Sequence, residues 1–418
     1  MRKKYGLLIT GLMLCAVGFF AWVYQMLSGL AITDLSNSFS WGLYMGSFEF
    51  FIGMSSGGML VFSIAYIWNV ECLKPFIKAG SIASLASVIA AGAAILTDLG
   101  QPLRVLQMLL TPNFGSPLFW DVLVLGIYAV LCFAAVLLQF LPETKKFKGR
   151  RGFKLDCESY SKGLSYFTFP FIAVLNAVTT LMFAVQNARE WWHSALLPAD
   201  SVAVAAAVGL SFMMLIGALL LGEEGFKTWN KGFKLLTKLA GIALLIHLCF
   251  TALELTTIAW SNTAEGGHLL KLLFEDYGVL YFAEIAAPCI AMLVYLTVNS
   301  KYRKIMVSMN VFVIAATFIH RMMLLLPAFN SIPLTIPVAG IPNTLWSVPI
   351  SSGILKEGQE LFVTYWDYAP TVLEWCVALL PVGIICVMIA GAMSLYPELP
   401  EMKKKVVFVD RKNEADGI

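Results

Sequence analysis

WGLYMGSFEFFIGMSSGGMLV, residues 41–61, decides the fold. Crossing ~30 Å of hydrocarbon takes roughly 20 predominantly apolar residues at helical rise, and this stretch supplies them. It also holds one carboxylate, Glu49, between glycines at 42, 46, 53, 57 and 58. A Glu on a water-exposed helix is ordinary, whereas a Glu inside a lipid-embedded one demands a reason.

The rest of the chain sets the same environment. Of 418 residues, 59% are hydrophobic and 13% charged, about half the charged share of a soluble domain. A polytopic membrane protein follows. The net charge of +3 is too small to point to a nucleic-acid partner. Eight cysteines stand singly, with no Cys-x-x-Cys pair and no Cys-x-x-Cys-His, so neither an iron–sulfur cluster nor covalent haem is expected in this chain. Four histidines at different expected depths offer no evident axial pair for a b-type haem. Apolar runs near 6–30, 43–68, 76–97, 118–141, 164–187, 201–221, 235–260, 277–298, 305–327 and 371–395 give ten expected spans. The first follows Arg2-Lys3-Lys4 as a signal peptide would, yet it is too long for an h-region and lacks an Ala-x-Ala site. It is expected to be retained.

Orientation comes from the basic residues. The N-terminus, the even-numbered connections and the C-terminal tail hold 24 of the 29 Lys and Arg, and the odd-numbered connections hold four. By the positive-inside rule both termini are expected to be cytoplasmic. Segments 31–42, 98–117, 188–200, 261–276 and 328–370 then face the other side. The basic loop KKFKGRRGFK, 145–154, reads as topogenic.

The ionisable residues within the spans fall at one depth. Glu49 lies about two turns into the second span, Asp98 ends the third, and Glu254 is about two turns from the outer end of the seventh. Glu284 lies in the eighth, His320 and Arg321 near the outer end of the ninth, and Glu374 opens the tenth; His247, in mid-seventh, is deeper. Each such group costs at least ~2.5 kcal/mol to insert, so a shared polar site on the outer side explains them better than chance. On the second span Gly42, Gly46, Glu49, Gly53 and Gly57 share an arc of about 80°. The deep glycines read as packing contacts, and those beside Glu49 are expected to leave room for a flat ring. His247 and Glu254, with Thr251 between them, are about 10 Å apart on one helix face and form a candidate proton route, continued by Ser81, Ser84, Ser87 and Asn176.

The connection TDLGQPLRVLQMLLTPNFGSPLFWD, 97–121, places an acid at a helix end, a Gly-x-Pro turn and Arg104 six residues after Asp98. Gly100 and Pro102 can turn the chain so that Arg104 approaches Asp98. Trp191-Trp192-His193 reads first as an interfacial aromatic belt. SWGLYMGSFEFFIGMSSGGML at 40–60, DLGQPLR at 98–104 with PNFGSPLFWD at 112–121, HRMMLLLP at 320–327 and YAPTVLEW at 368–375 resemble the polysulfide reductase/NrfD family of membrane subunits. The ten-span branch with the membrane subunits of hydrogenase-2, the quinone reductase complex and alternative complex III is most similar.

The resemblance implies an all-α fold of two four-helix bundles with two flanking helices. The expected divisions are a first helix (1–30), a first bundle (31–187), a second bundle (188–327), an outer connection (328–370), a tenth helix (371–395) and a cytoplasmic tail (396–418). It further implies a subunit of the cytoplasmic membrane that binds menaquinone or ubiquinone and exchanges electrons with a docked ferredoxin-like iron–sulfur subunit. That subunit would serve a molybdopterin enzyme, a hydrogenase or a multihaem cytochrome. Glu49, Asp98, Glu254, His320 and Arg321 become candidates for the reaction, and Arg104, Glu284, Glu374, Trp41 and Tyr44 for holding the ring. Quinone reduction takes two protons, which carboxylates and His can exchange, whereas Arg stays charged and steadies a negative oxygen. A proton-coupled transporter would want its site at the midplane, and a passive anchor would leave the buried acids unexplained.

Overall fold

The computed structural model describes residues 2–144, 151–186, 189, 191–261, 263–298, 301–330, 347–350, 362–363 and 366–395. The helices are α1 (Arg2–Ser28), α2 (Leu43–Ile67), α3 (Ile77–Asp98), α4 (Val105–Leu110), α5 (Pro117–Phe140), α6 (Arg151–Ala184), α7 (Leu197–Thr228), α8 (Asn230–Ser261), α9 (Ala264–Lys271), α10 (Gly278–Thr297), α11 (Arg303–Asn330) and α12 (Val372–Leu395). Ten of them are long and apolar enough to cross a membrane; α4 and α9 are short pieces in the connections. The chain is an all-α polytopic membrane protein, as its apolar runs require. Two antiparallel residue pairs, Val348 with Val363 and Pro349 with Phe362, are a small addition.

Several helices outrun their apolar stretches. α6 begins at Arg151 rather than near 164, and α7 and α8 are separated only by Trp229. A helix satisfies its own backbone, so it has no need to stop where the hydrocarbon does. Most of the long connection 328–370 lies outside the described residues; its visible parts return to the segment before α2, where Asn37 Nδ2 donates to the Pro349 carbonyl at 3.1 Å.

Packing follows two closed circuits. α2 packs on α3, α3 on α5, α5 on α6 and α6 back on α2; α7 packs on α8, α8 on α10, α10 on α11 and α11 back on α7. α2 and α7 join the circuits, and α1 pairs with α12, which leans on α3. Where α2 crosses α7, Gly57 meets Gly209 backbone to backbone, and a Cβ on either would overlap the other helix. Nearby, Gly58 lies on the Gly80 carbonyl of α3 in the same way. Beside these crossings the Ser84 hydroxyl of α3 accepts from the Met59 N–H at 3.1 Å and donates to the Ser55 carbonyl. Those are the two groups that one rung of the α2 ladder joins, so a side chain of α3 bonds to both ends of that rung.

Candidate functional site

A proline in α11 sets up the site. Pro327 has no N–H, so the Met323 carbonyl four residues earlier lacks its helical donor. The Trp191 indole donates to it at 3.0 Å, Trp192 donates to the Leu324 carbonyl at 2.6 Å, and Arg189 Nη1 donates to the Ala328 carbonyl at 2.9 Å. This segment, expected as an interfacial belt, is thereby bound to the end of α11. It leads directly into the first turn of α7, which brings Asp200 against the middle of α11 and α8.

There the first cluster forms. His247 Nδ1 of α8 meets Asp200 Oδ1 at 2.7 Å, and His320 Nε2 of α11 lies 3.9 Å from Asp200 Oδ2. His320 Nδ1 meets Glu284 Oε1 of α10 at 2.6 Å, and the two imidazoles pack edge to face with centroids 5.0 Å apart. The next residue on α11, Arg321, is turned ~100° around the helix and faces α2 and α7. Its Nη1 is 3.6 Å from Glu49 Oε2, and its Nη2 donates to Ser201 Oγ at 3.2 Å. Arg321 is 1% exposed and Glu49 2%. Glu49 Oε1, Glu284 Oε2 and Arg321 Nε are buried without a hydrogen-bond partner. Glu254, half-buried on the same face of the protein, neighbours the Ser194 side chain.

A second cluster gathers where α1, α2, α3 and α12 meet. Tyr44 donates to Gln25 Oε1, and Gln25 Nε2 donates to the Thr97 carbonyl at 2.9 Å. Glu374 accepts from the Tyr368 hydroxyl, from Thr371 N at 2.9 Å and Oγ1 at 3.0 Å, and from Asp34 N at 3.1 Å. The Asp34 carboxylate accepts from Ala369 N at 2.8 Å, which closes α12 over the segment before α2. Burial and the Glu374 carboxylate push the Tyr368 phenol well up, so it stays a donor. Asp98 Oδ1 and the Trp22 indole N–H are buried here without partners.

Several expectations change against this geometry. The polar side chains form two clusters rather than one pocket. Arg104 is exposed and makes no ion pair with Asp98, because the turn after α3 runs on into α4 along the surface. Gly46 lies against Met322 Sδ and Gly42 against the Tyr368 ring, so the space expected beside Glu49 for a flat ring is filled. Thr251 donates to the His247 carbonyl of its own helix at 3.1 Å, and the His247 ring turns to Asp200 instead. His247 and His320, placed by sequence at different depths, are in contact; α8 runs on to Ser261 and α11 to Asn330, so distance from a helix end misjudges their relative level. Trp41 belongs to an aromatic group with Phe183, Trp192 and Phe329, centroids 5.6 to 6.1 Å away, rather than to either cluster.

Asp200, Ser201, Asp34, Gln25 and Tyr368 escape the sequence reading. Asp200 sits in LPADSVAV, where an acid in the first helical turn passes for ordinary dipole chemistry. Its burial, 8% exposed, is the signal a sequence withholds. An apolar groove of about 450 Å³ lined by Leu255, Ala259, Trp260, Leu270 and Phe274 opens along α8 beyond Glu254.

Comparison with known proteins bears on this arrangement. A family profile described as "Polysulphide reductase, NrfD" matches residues 31–333. A putative membrane subunit of a dimethyl sulfoxide reductase from Halobacterium salinarum is 30% identical over 263 residues, 60% of each chain. A selenate reductase subunit of Mesobacillus selenatarsenatis is 22% identical over 97% of this chain and 96% of its own. An Hdr-like menaquinol oxidoreductase integral membrane subunit of Archaeoglobus fulgidus is 26% identical over 51% of this chain and 50% of its own. The chain thus spans well under two thirds of the length of two of these relatives and nearly all of the other.

Proposed function

The chain belongs to the polysulphide reductase NrfD family, and from that premise we propose that it is the quinone-reactive membrane subunit of a respiratory oxidoreductase complex. It exchanges electrons between menaquinone or ubiquinone and a docked iron–sulfur subunit, which serves a catalytic subunit. The names of the three relatives, two reductase subunits and one menaquinol oxidoreductase subunit, support that reading. The chain then sits in the cytoplasmic membrane with both termini on the cytoplasmic side, as its basic residues suggest, and its two circuits of four helices are the two bundles of the family.

The observation that carries the reading is the pair of orphaned polar atoms in the second cluster, Asp98 Oδ1 and the Trp22 indole N–H. Trp22 precedes Gln25 by nearly one turn of α1, and Gln25 binds the residue before Asp98. Leaving a buried donor and a buried acceptor unpaired costs about 1–3 kcal/mol each. A quinone presents carbonyl oxygens that accept and, once reduced, hydroxyls that donate, so this pair fits it in either state. When bound, the quinone supplies the two-electron, two-proton chemistry. Asp98 exchanges a proton at its free oxygen, the Trp22 N–H orients the ring, and Tyr44, held by Gln25, closes one side. Glu374 keeps α12 and Tyr368 in place around them. The His–carboxylate cluster and the Glu49–Arg321 pair then act as the station where protons enter or leave.

The test is Asp98→Asn in the assembled complex, which keeps shape and removes proton exchange. Quinone-dependent turnover is expected to fall about 100-fold, the low end for a positioned acid–base group, while the catalytic partner still reduces a soluble dye. Unchanged quinone turnover would sink the assignment.

A further inference from the structure

We propose that Asp200, His247 and His320 form a binding site for one divalent transition-metal ion of the zinc class, within the membrane-spanning part of the second circuit. One ligand atom from each lies within 4.8 Å of the others, and the three belong to three helices, α7, α8 and α11. Two imidazoles and a carboxylate are the donor set that zinc and its neighbours favour. The tautomer of His320 is already arranged for it. Glu284 Oε1, 2.6 Å from His320 Nδ1, accepts the Nδ1–H and leaves Nε2 with its lone pair on the side of Asp200. A carboxylate behind a histidine is the usual support of a metal ligand. His247 Nδ1 is hydrogen-bonded to the Asp200 carboxylate at 2.7 Å, and the ion replaces the proton of that bond.

Charge argues independently. Glu49, Asp200 and Glu284 are three buried carboxylates, and among the described residues Arg321 is the buried guanidinium that faces them. With neutral histidines the group carries a formal charge of −2, and uncompensated buried charge is strongly disfavoured. Two protons neutralise it; so does one divalent cation. The unpartnered Glu284 Oε2 is a further acceptor beside the ligands. The site goes beyond the quinone reading, in which the same cluster carries protons: a bound divalent ion displaces those protons, and its binding can be read without turnover.

The complex is purified, stripped with a chelator, loaded with zinc and freed of excess metal. Elemental analysis is expected to return one retained zinc per chain, and X-ray absorption at the zinc edge is expected to show scattering from two imidazoles with Zn–N near ~2.0–2.1 Å. Glu284→Gln, which removes the carboxylate behind His320 and one of the buried negative charges, is expected to weaken binding by roughly 10–100-fold. His193→Ala and His268→Ala, at exposed positions, leave it unchanged. Zinc that washes out, an edge spectrum without two imidazoles, or loss of the metal in the exposed-histidine variants would overturn the proposal. The edge spectrum is taken on the unaltered protein and therefore decides the matter even if a cluster variant does not fold.

Discussion

The two circuits of four helices use their polar groups differently. Between α5 and α6 Asp121 and Thr179 are joined at 2.6 Å, and between α10 and α11 Glu284 and His320 are joined at the same distance. Around the first pair Asn176 donates to Ser56 Oγ at 2.8 Å and Tyr128 donates to the Ser55 carbonyl at 2.9 Å, with Glu49 as the nearby acid. Around the second stand Asp200, His247 and Arg321. A threonine hydroxyl can only share its proton, whereas an imidazole can take one and pass it on. The α5–α6 contact therefore serves as a clamp and the α10–α11 contact as a candidate proton-handling centre, and the partner of the acid, Thr in one and His in the other, marks the difference. Arg321 is the seam, rooted in the second circuit and paired with Glu49 of the first.

That contrast can be broken at four points. Arg321→Gln strikes the seam: it leaves Glu49 buried and unpaired, and the unfolding free energy in detergent is expected to drop by about 3–5 kcal/mol. Adding Glu49→Gln should restore part of it, and a double variant no more stable than Arg321→Gln would mean the pair is not coupled. Glu284→Gln keeps shape within the second circuit and is expected to lower quinone-dependent turnover roughly 100-fold; a rate within about threefold of the parent would make that circuit a scaffold as well. Asn176→Ala removes the bond to Ser56 in the first circuit and should cost about 1–2 kcal/mol of stability with quinone turnover preserved. Last comes Asp121→Asn, whose amide oxygen still accepts from Thr179 but whose amide NH2 is added to a buried place: a loss of about 1 kcal/mol, the low end for an unpaired buried donor, is expected with quinone turnover preserved. Should Asp121→Asn slow quinone turnover as much as Glu284→Gln, the α5–α6 contact also handles protons and the comparison fails.

The spans were legible in the sequence and the facing of their side chains was not. Apolar runs locate the ten candidate spans, but counting along them set His247 and His320 at different levels although the two rings touch. The angle around a helix is fixed, which is how Arg321 and His320 come to face different helices. Choosing the partner, however, needs the neighbouring helix, and that is set by packing. Thr251 illustrates the loss: its spacing from His247 is right, yet a hydroxyl in a helix readily returns to its own backbone. Asp200 was hidden because the proline of another helix, Pro327, determines what the connection before α7 does. The glycines beside Glu49 suggested space, but an empty side-chain position in a packed protein is filled by whatever is nearest, here Met322 and Tyr368.

The hydroxyl of Ser84 bonded to α2 has a consequence for how the chain is made. A span arriving alone in lipid must close its own ladder, and α2 also carries Glu49, whose transfer is unfavourable by ~2.5 kcal/mol or more. The Ser55 carbonyl and Met59 N–H find partners in a side chain of α3, the next span to be synthesised. The two segments are therefore better partitioned from the translocation machinery as one hairpin, with the second completing the first as it enters the bilayer.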